Sequence, residues 1–149
     1  MPMSELCNTE VVTVDRNSTV TEACKQMRKQ HVGAVVVLES SSGKPTPVGI
    51  VTDRDVVVEL VATELDPDVI TVGDIMVDTL AVINKNAGLF DAIKLMTDKG
   101  VRRLPVVDDD DTLLGIVTLD DMLVLLAKEL SALSKLVERE QKSEAKRRH

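Results

Sequence analysis

The chain has no tryptophan and no tyrosine, and Phe90 is its only aromatic residue. Proteins that bind single-stranded nucleic acids stack the bases on aromatic rings, so this kind of binding platform is excluded. Any base held here must lie against aliphatic side chains and backbone. Cysteine is scarce as well, because Cys7 and Cys24 are too few for a disulfide framework in 149 residues. We therefore expect reduced thiols and a cytoplasmic location.

Long apolar runs are also missing. No run approaches the ~20 residues that cross a bilayer, and the first ten residues, MPMSELCNTE, lack the basic start and apolar stretch of a secretory signal. We expect no membrane partner. The formal net charge is −7, and binding to nucleic-acid phosphates requires clustered Lys and Arg. Nucleic acid is therefore disfavoured as a partner, whereas a small anionic ligand held by a few local donors is compatible with this charge.

An internal repeat dominates the sequence. GIVTDRDV at 49–56 returns as GIVTLDDM at 115–122. A longer match, offset by 69 residues, relates 11–38 to 80–107. The loop at 39–47 is longer in the first copy and accounts for the change of offset. Repeats of this kind indicate that one folding unit has been duplicated.

Each copy predicts the element order β-α-β-β-α, which makes the fold class α/β (α+β). The opening strands are predicted at 11–14 and 80–83, and each is followed by a helix with apolar residues at i, i+3, i+4 and i+7. Near-continuous apolar runs from Val32 and Val101 are typical of strands buried on both faces. We expect one repeat at 1–66, a second at 67–127 and a helical tail at 128–149.

The Thr-x-x-Asp element that ends each repeat has two interpretations. Thr52 with Asp55, and Thr118 with Asp121, stand where a capping box would begin the next helix. The same geometry also suits a sugar phosphate, because a helix N-terminus attracts anions and a carboxylate can accept hydrogen bonds from ribose hydroxyls. Gly49 and Gly115 in the preceding strand would allow close approach of the ligand. The Thr-x-x-Asp element occurs twice in the same structural context, and this favours the binding interpretation.

At these residues the chain resembles a known family. The unit ending in G-I-V-T-x-x-D, together with the run VRRLPVV at 101–107, is similar to a CBS domain, and two in tandem resemble a CBS pair, or Bateman module. The resemblance extends from about Cys7 to Ala127. It implies tandem repeats related by a pseudo-twofold axis, with two clefts between them that bind adenosine compounds: AMP, ADP, ATP or S-adenosylmethionine.

The resemblance also implies which residues line each cleft. Residues of both repeats contribute to each one. One cleft would use Thr118 and Asp121 with Thr13, Val32, Gly33 and Ala34. The other would use Thr52, Arg54 and Asp55 with Val82, Arg102 and Leu104.

The roles of these residues follow from their chemistry. Asp55 and Asp121 would accept from ribose hydroxyls, and Thr52 and Thr118 would bond the phosphate end. Arg102 and Arg103 are adjacent strand residues that point to opposite sides, so at least one should reach a cleft and supply charge-assisted donors to phosphate. The alternative for both is surface or interface ion pairing. Thr13, Val82 and the backbone near Gly33 would hold the base. Arg54 and the two adjacent arginines favour phosphate in the cleft of Asp55, but the sequence does not decide which cleft is occupied.

The sequence contains no evident catalytic group. It has no general base paired with a nucleophile, and the acidic run at 108–111 lacks the spacing of a calcium loop, so we expect neither an enzyme nor a metal site. The tail is predicted to be one long helix from Asp120 to His149, with Leu126, Leu130, Leu133 and Val137 spaced as in a coiled-coil seam.

These features together predict a stand-alone adenosine-nucleotide sensor that regulates a separate, unknown partner protein and forms a homodimer. Two alternatives are a structural dimerisation module without ligand and a nucleotide-acting enzyme.

Overall fold

A computed structural model describes residues 1–41, 43–77 and 80–148. The predicted end of the tail, His149, lies outside the described residues, as do Ser42, Asp78 and Thr79. The chain divides into two compact units, one at 1–117 and the other from Thr118 onward.

The predicted order β-α-β-β-α is confirmed in both repeats, and a short helix precedes each. The first repeat contains α1 (Met3–Leu6), β1 (Thr13–Asp15), α2 (Val20–Gln30), β2 (Ala34–Ser41), β3 (Lys44–Thr52) and α3 (Asp53–Val56), which continues as a π-helical turn over Val57–Val61. The second contains α4 (Val72–Ile75), β4 (Ile83–Asn84), α5 (Leu89–Lys99), β5 (Arg103–Val107), β6 (Leu113–Thr118) and α6 (Leu119–Arg147).

Two sets of predicted boundaries were wrong. The opening strands begin two and three residues later than predicted, at Thr13 and Ile83. The predicted loop at 39–47 consists mostly of strand, because β2 and β3 continue as a hairpin with Ser41 opposite Lys44. Pro45 and Pro47 are tolerated there because β3 is an edge strand of its sheet.

Each repeat forms a three-stranded sheet. In the first, the order is β1-β2-β3, with β1 parallel and β3 antiparallel to β2. In the second, the order is β4-β5-β6, with β4 parallel to β5. The later part of each apolar run is buried as predicted, since Val35, Val36 and Val37 are at most 1% exposed. Burying each such side chain contributes about 1.5–3 kcal/mol. The first residues of the two runs, Val32 and Val101, are exposed instead, at 37% and 36%.

The apolar face predicted for the first long helix packs into the core. Val20, Ala23 and Met27 of α2 are buried against strand residues such as Val35 and Val51. The predicted capping box also forms: the Thr19 hydroxyl accepts from the Glu22 amide at 3.2 Å, and Glu22 accepts from the Thr19 amide at 3.1 Å. At the start of α5, Gly88 offers no side chain, and only Asp91 accepts, from the Gly88 amide at 2.9 Å.

The short helices α1 and α4 are equivalent and are exchanged between the repeats. They are 69 residues apart, like the rest of the duplication. Val72 and Gly73 of α4 donate to the carbonyls of Ser18 and Arg16 in the first repeat. Met3 and Ser4 of α1 donate to the carbonyls of Ala87 and Lys85 in the second. Each repeat is therefore completed by a helix from the other's leading segment.

The unit from Thr118 onward contains α6, a helix of 29 residues. Its predicted seam residues Leu126, Leu130, Leu133 and Val137 are between 40% and 69% exposed. In the part of the chain that the structure describes, no helix combines the length and apolar character needed to span a bilayer.

Candidate functional site

Thr52 and Asp55 form a reciprocal capping box at the start of α3. The Asp55 amide donates to Thr52 Oγ1 at 3.2 Å, and the Thr52 amide donates to Asp55 Oδ2 at 2.9 Å. The capping interpretation of this element is therefore confirmed. Both residues are half-buried.

Capping leaves both side chains able to bind a ligand. The Thr52 oxygen accepts the bond from the amide, so its own O–H proton is still a donor. A carboxylate offers about four lone-pair positions, and the cap uses one of them at Asp55. Thr52 can therefore donate to an anionic oxygen while Asp55 accepts from hydroxyl groups.

The capping box by itself does not mark a binding site, because the chain repeats it elsewhere. At the start of α4 the Thr71 amide donates to Asp74 Oδ2 at 3.0 Å. This bond lowers the pKa of the Asp74 carboxyl. Thr71 and Asp74 share the spacing of Thr52 and Asp55 but line none of the cavities described here. What distinguishes Thr52 and Asp55 is the space beside them.

Thr52 and Asp55 open onto a cavity of about 340 Å³. Residues of both repeats line it, including part of the segment between α4 and β4: Ile50, Thr52, Asp55, Val77, Leu80, Ala81, Gly100, Val101, Arg102 and Arg103. The volume is within the usual range for small-molecule sites, about 300–1,000 Å³.

The polar groups of the cavity fall into two kinds. Asp55 is an anionic acceptor, whereas Arg102 and Arg103 are cations with several donors each. Aliphatic side chains such as Ile50, Leu80 and Val101 supply the remaining walls. This combination suits a ligand with hydroxyl groups near one end, an anionic group and an apolar or flat portion between aliphatic walls.

Three residues predicted for this cleft are not among its lining residues. Arg54 is exposed on α3, Val82 is half-buried just before β4, and Leu104 is fully buried at 0% exposure. The Leu104 side chain belongs to the core of the second repeat. Thr52, Asp55, Arg102 and Arg103 are brought together, and the binding role of all seven residues stays a prediction.

The residues predicted for the other cleft belong to both compact units. Thr118 and Asp121 begin the second unit, where Thr118 Oγ1 accepts from the Asp121 amide at 3.1 Å. Thr13 and Val32 are exposed, and Gly33 and Ala34 are half-buried. The Gly33 carbonyl accepts from the Asp53 amide at 2.9 Å. The joint cleft of these residues stays a prediction.

The prediction that Gly49 and Gly115 make room for a ligand was wrong. A Cβ at Gly49 would lie 2.6 Å from the sulfur of Met76, and a Cβ at Gly115 would lie 2.7 Å from both Cys7 Sγ and the Asn8 carbonyl oxygen. The close approach is real, but the chain's own segments after α4 and α1 occupy the space. The two contacts are equivalent under the repeat.

Sequence reasoning missed six residues that line the cavity: Ile50, Val77, Leu80, Ala81, Gly100 and Val101. The sequence could have indicated two of them. Ile50 precedes Thr52 by two strand positions and so points to the same face of the sheet, and Val101 opens the run predicted to enter the cleft. Val77, Leu80 and Ala81 precede β4, and although a strand was predicted at 80–83, no motif assigned these three side chains to a cavity.

The acidic run after β5 forms an internally bonded loop. Asp108 Oδ1 accepts from the amides of Asp110 and Thr112 at 2.9 and 3.0 Å, and these bonds lower the pKa of the Asp108 carboxyl. Lys44 of the first repeat pairs with Asp110 at 2.8 Å. Among the described residues, no group of three or more His, Cys, Asp or Glu side chains could hold a metal ion.

Comparison with protein families identifies the class. The family model of the CBS domain matches residues 3–62 and 72–128. Both matches begin at the exchanged short helices, one at α1 and the other at α4. The chain belongs to the CBS domain family and is a CBS domain pair, a regulatory module.

Two curated relatives have similar sequences. The uncharacterised protein MK0525 of Methanopyrus kandleri is 37% identical over 121 residues, which are 81% of this chain and 60% of that protein. The chain thus spans less than two thirds of MK0525. The CBS domain-containing protein YhcV of Bacillus subtilis is 37% identical over 122 residues, 82% of this chain and 83% of that protein.

Solved structures share the fold. PAE2072 of Pyrobaculum aerophilum, a CBS domain protein complexed with AMP, superposes with a TM-score of 0.72 at 25% identity and covers 86% of this chain and 99% of that one. A hexameric CBS-CP12 protein from bloom-forming cyanobacteria superposes with a TM-score of 0.71 at 30% identity, covering 83% of this chain and 69% of that one.

Proposed function

We propose that the protein binds an adenosine nucleotide in the cavity beside Thr52 and Asp55. The observation that carries the proposal is the meeting of a carboxylate, a hydroxyl donor and two guanidinium groups around one space of about 340 Å³. Asp55 would accept from the ribose hydroxyls, and Thr52 with Arg102 and Arg103 would donate to the phosphate. The AMP complex of PAE2072, a protein with the same fold, supports this ligand class.

The walls would hold the base without aromatic stacking. Phe90 is the only aromatic residue of the chain and does not line the cavity. Aliphatic side chains and backbone groups would therefore set the selectivity for the base. The guanidinium groups favour a phosphate-bearing ligand, such as AMP, ADP or ATP, over the cationic sulfonium of S-adenosylmethionine, because like charges repel.

The second predicted cleft, with Thr118 and Asp121, would bind the same class of ligand more weakly. Asp120 stands where the first repeat has Arg54, so this cleft carries a further negative charge near a phosphate. We propose that ligand binding shifts the arrangement of the repeats and so regulates a separate partner protein. We also propose that the protein works as a homodimer, for which the exposed apolar stripe of α6 is one supporting observation.

Calorimetric titration with AMP, ADP, ATP and S-adenosylmethionine tests the proposal. We expect saturable heat and a raised melting temperature with at least one phosphate-bearing nucleotide, and weaker binding of S-adenosylmethionine. No heat and no thermal shift at millimolar concentrations would favour a structural dimerisation module without ligand. Turnover of ATP in the presence of magnesium would instead favour an enzyme.

A further inference from the structure

A second cavity, of about 330 Å³, lies between α2, the π-helical turn and the segment that follows it. Its apolar lining residues are Cys24, Val56, Leu60, Val61, Leu65 and Pro67. Leu60 is 1% exposed and forms the floor, whereas Val61 is 67% exposed at the opening. Thr21, Lys25 and Arg28 of α2 complete the lining. We call this cavity the α2 groove.

Phe90 is the most exposed large apolar side chain in the described part of the chain, at 83%. It lies in the first turn of α5, which is the counterpart of α2 in the second repeat. The residue at the equivalent position of α2 is Thr21, and Thr21 lines the α2 groove. At this position the first repeat therefore has a small residue, Thr21, beside the α2 groove, whereas the second repeat has the large exposed ring of Phe90.

We propose that two copies of the chain associate head to tail, so that the second repeat of one subunit meets the first repeat of the other. Phe90 of the partner subunit is then seated in the α2 groove, and the twofold axis repeats this contact. This inference rests on the homodimer of the proposed function and gives it an orientation. It needs no bound nucleotide. In an isologous dimer each contact occurs twice, so two rings fill two grooves.

Charge favours this orientation over the head-to-head one. The helix α2 contains one acidic residue, Glu22, against three basic ones, Lys25, Arg28 and Lys29. Head-to-head pairing would bring the Lys25 and Arg28 of both copies together, which is repulsive.

The helix α5 is balanced, with two acidic and two basic residues, and its Lys94 is already paired with Asp98 at 2.9 Å. In the head-to-tail pair, Lys25 and Arg28 would lie around the face of an aromatic ring, where cations are attracted rather than repelled.

Phe90→Ala tests the contact by sedimentation without nucleotide. Removing the ring is expected to weaken dimerisation at least tenfold, because burial of an aromatic side chain at a packed interface is a dominant contribution to binding. Val69→Ala, which shortens another apolar side chain that is 71% exposed and does not line the α2 groove, is the matched control and should change nothing. A Phe90→Ala protein that dimerises as tightly as the wild type, or a wild-type protein that is monomeric, overturns the proposal.

Complementation then reports the orientation. Thr21→Phe should plug the α2 groove from its own side and weaken the dimer by a similar factor. A mixture of the Phe90→Ala and Thr21→Phe proteins should associate more tightly than either alone, because one intact ring can enter one intact groove. Head-to-head pairing predicts no such rescue, so its absence contradicts the proposal.

Disulfide cross-linking provides a readout that does not depend on the folding of Thr21→Phe. In a Cys7→Ser, Phe90→Cys protein, oxidation is expected to link the new thiol to Cys24 of the partner subunit, which lines the groove. The product is a dimer that disappears with Cys24→Ser. A link between the two introduced thiols would instead demonstrate head-to-head pairing. These measurements omit nucleotide, so failure of the nucleotide proposal leaves them unaffected.

Discussion

Gly115→Ala is expected to destabilise the protein by about 2–3 kcal/mol, the upper part of the usual range for overpacking in a filled interior. The added methyl group would lie 2.7 Å from the Asn8 carbonyl oxygen and 2.7 Å from Cys7 Sγ. The backbone oxygen cannot easily move away, because it accepts from the Ile116 amide at 3.0 Å while the Asn8 amide donates to Ile116 at 2.9 Å. Relief would require breaking this pair of bonds between the N-terminal segment and β6.

Denaturant unfolding of the two equivalent glycine variants measures this effect. Gly49→Ala meets only the Met76 side chain, at 2.6 Å from its sulfur. A flexible thioether can adopt another rotamer, so we expect a smaller loss, of about 1 kcal/mol.

Gly88→Ala, whose nearest neighbour would be at 3.6 Å, serves as the control and should cost less than about 1 kcal/mol. If Gly115→Ala unfolds at the same denaturant concentration as Gly88→Ala, the N-terminal segment does not pack against β6 as described.

Local signals predicted most of the fold. The spacing of Val20, Ala23 and Met27 identified the buried face of α2, and Thr19 with Glu22 identified its first turn. The matching runs at 49–56 and 115–122 predicted that the same elements occur twice. Each of these signals is contained within a few residues, because helix periodicity and capping depend on near neighbours in the chain.

What could not be predicted depends on contacts between distant segments. MSELC at 3–7 and VGDIM at 72–76 form equivalent short helices, but their sequences share no identical residue, and nothing local indicates that each docks on the other repeat. The same holds for the π-helical turn, whose residues read as an ordinary continuation of a helix. The loop at 39–47 was predicted wrongly, because only the sheet order reveals that its prolines at 45 and 47 lie in an edge strand, where they are tolerated.

The candidate site likewise combines features that local signals predicted with features that depend on contacts between distant segments. Thr52 and Asp55 were identified from a four-residue pattern, and Arg102 and Arg103 from the family resemblance. The pattern alone would equally have selected Thr71 and Asp74, which cap α4 with the same geometry. Only the packing of the repeats determines which of these capping boxes faces a cavity.

Asp55→Ala is expected to weaken nucleotide binding at the Asp55 cavity by about 10- to 100-fold. A hydrogen bond to a charged group contributes about 1.5–3 kcal/mol, and the carboxylate is the anionic acceptor of this cavity. The variant also loses the bond from the Thr52 amide to Asp55, which caps α3 at 2.9 Å. We therefore expect a loss of stability of about 1 kcal/mol as well. Calorimetry and denaturant unfolding on the same samples measure the two effects.

Two further variants separate capping from binding. Asp74→Ala removes the equivalent capping carboxylate of α4, which lines none of the cavities described here, so it should cost stability and leave nucleotide affinity unchanged. Asp55→Asn keeps an oxygen for the Thr52 amide but loses the charge and the second acceptor, so stability should be largely retained while affinity falls. Because Asp121 would serve the other predicted cleft, Asp55→Ala should weaken binding at one class of site and leave the other class unchanged. Equal affinities of the Asp55→Ala and Asp74→Ala proteins for every nucleotide would mean that Asp55 only caps a helix, and the ribose contact would have to be abandoned.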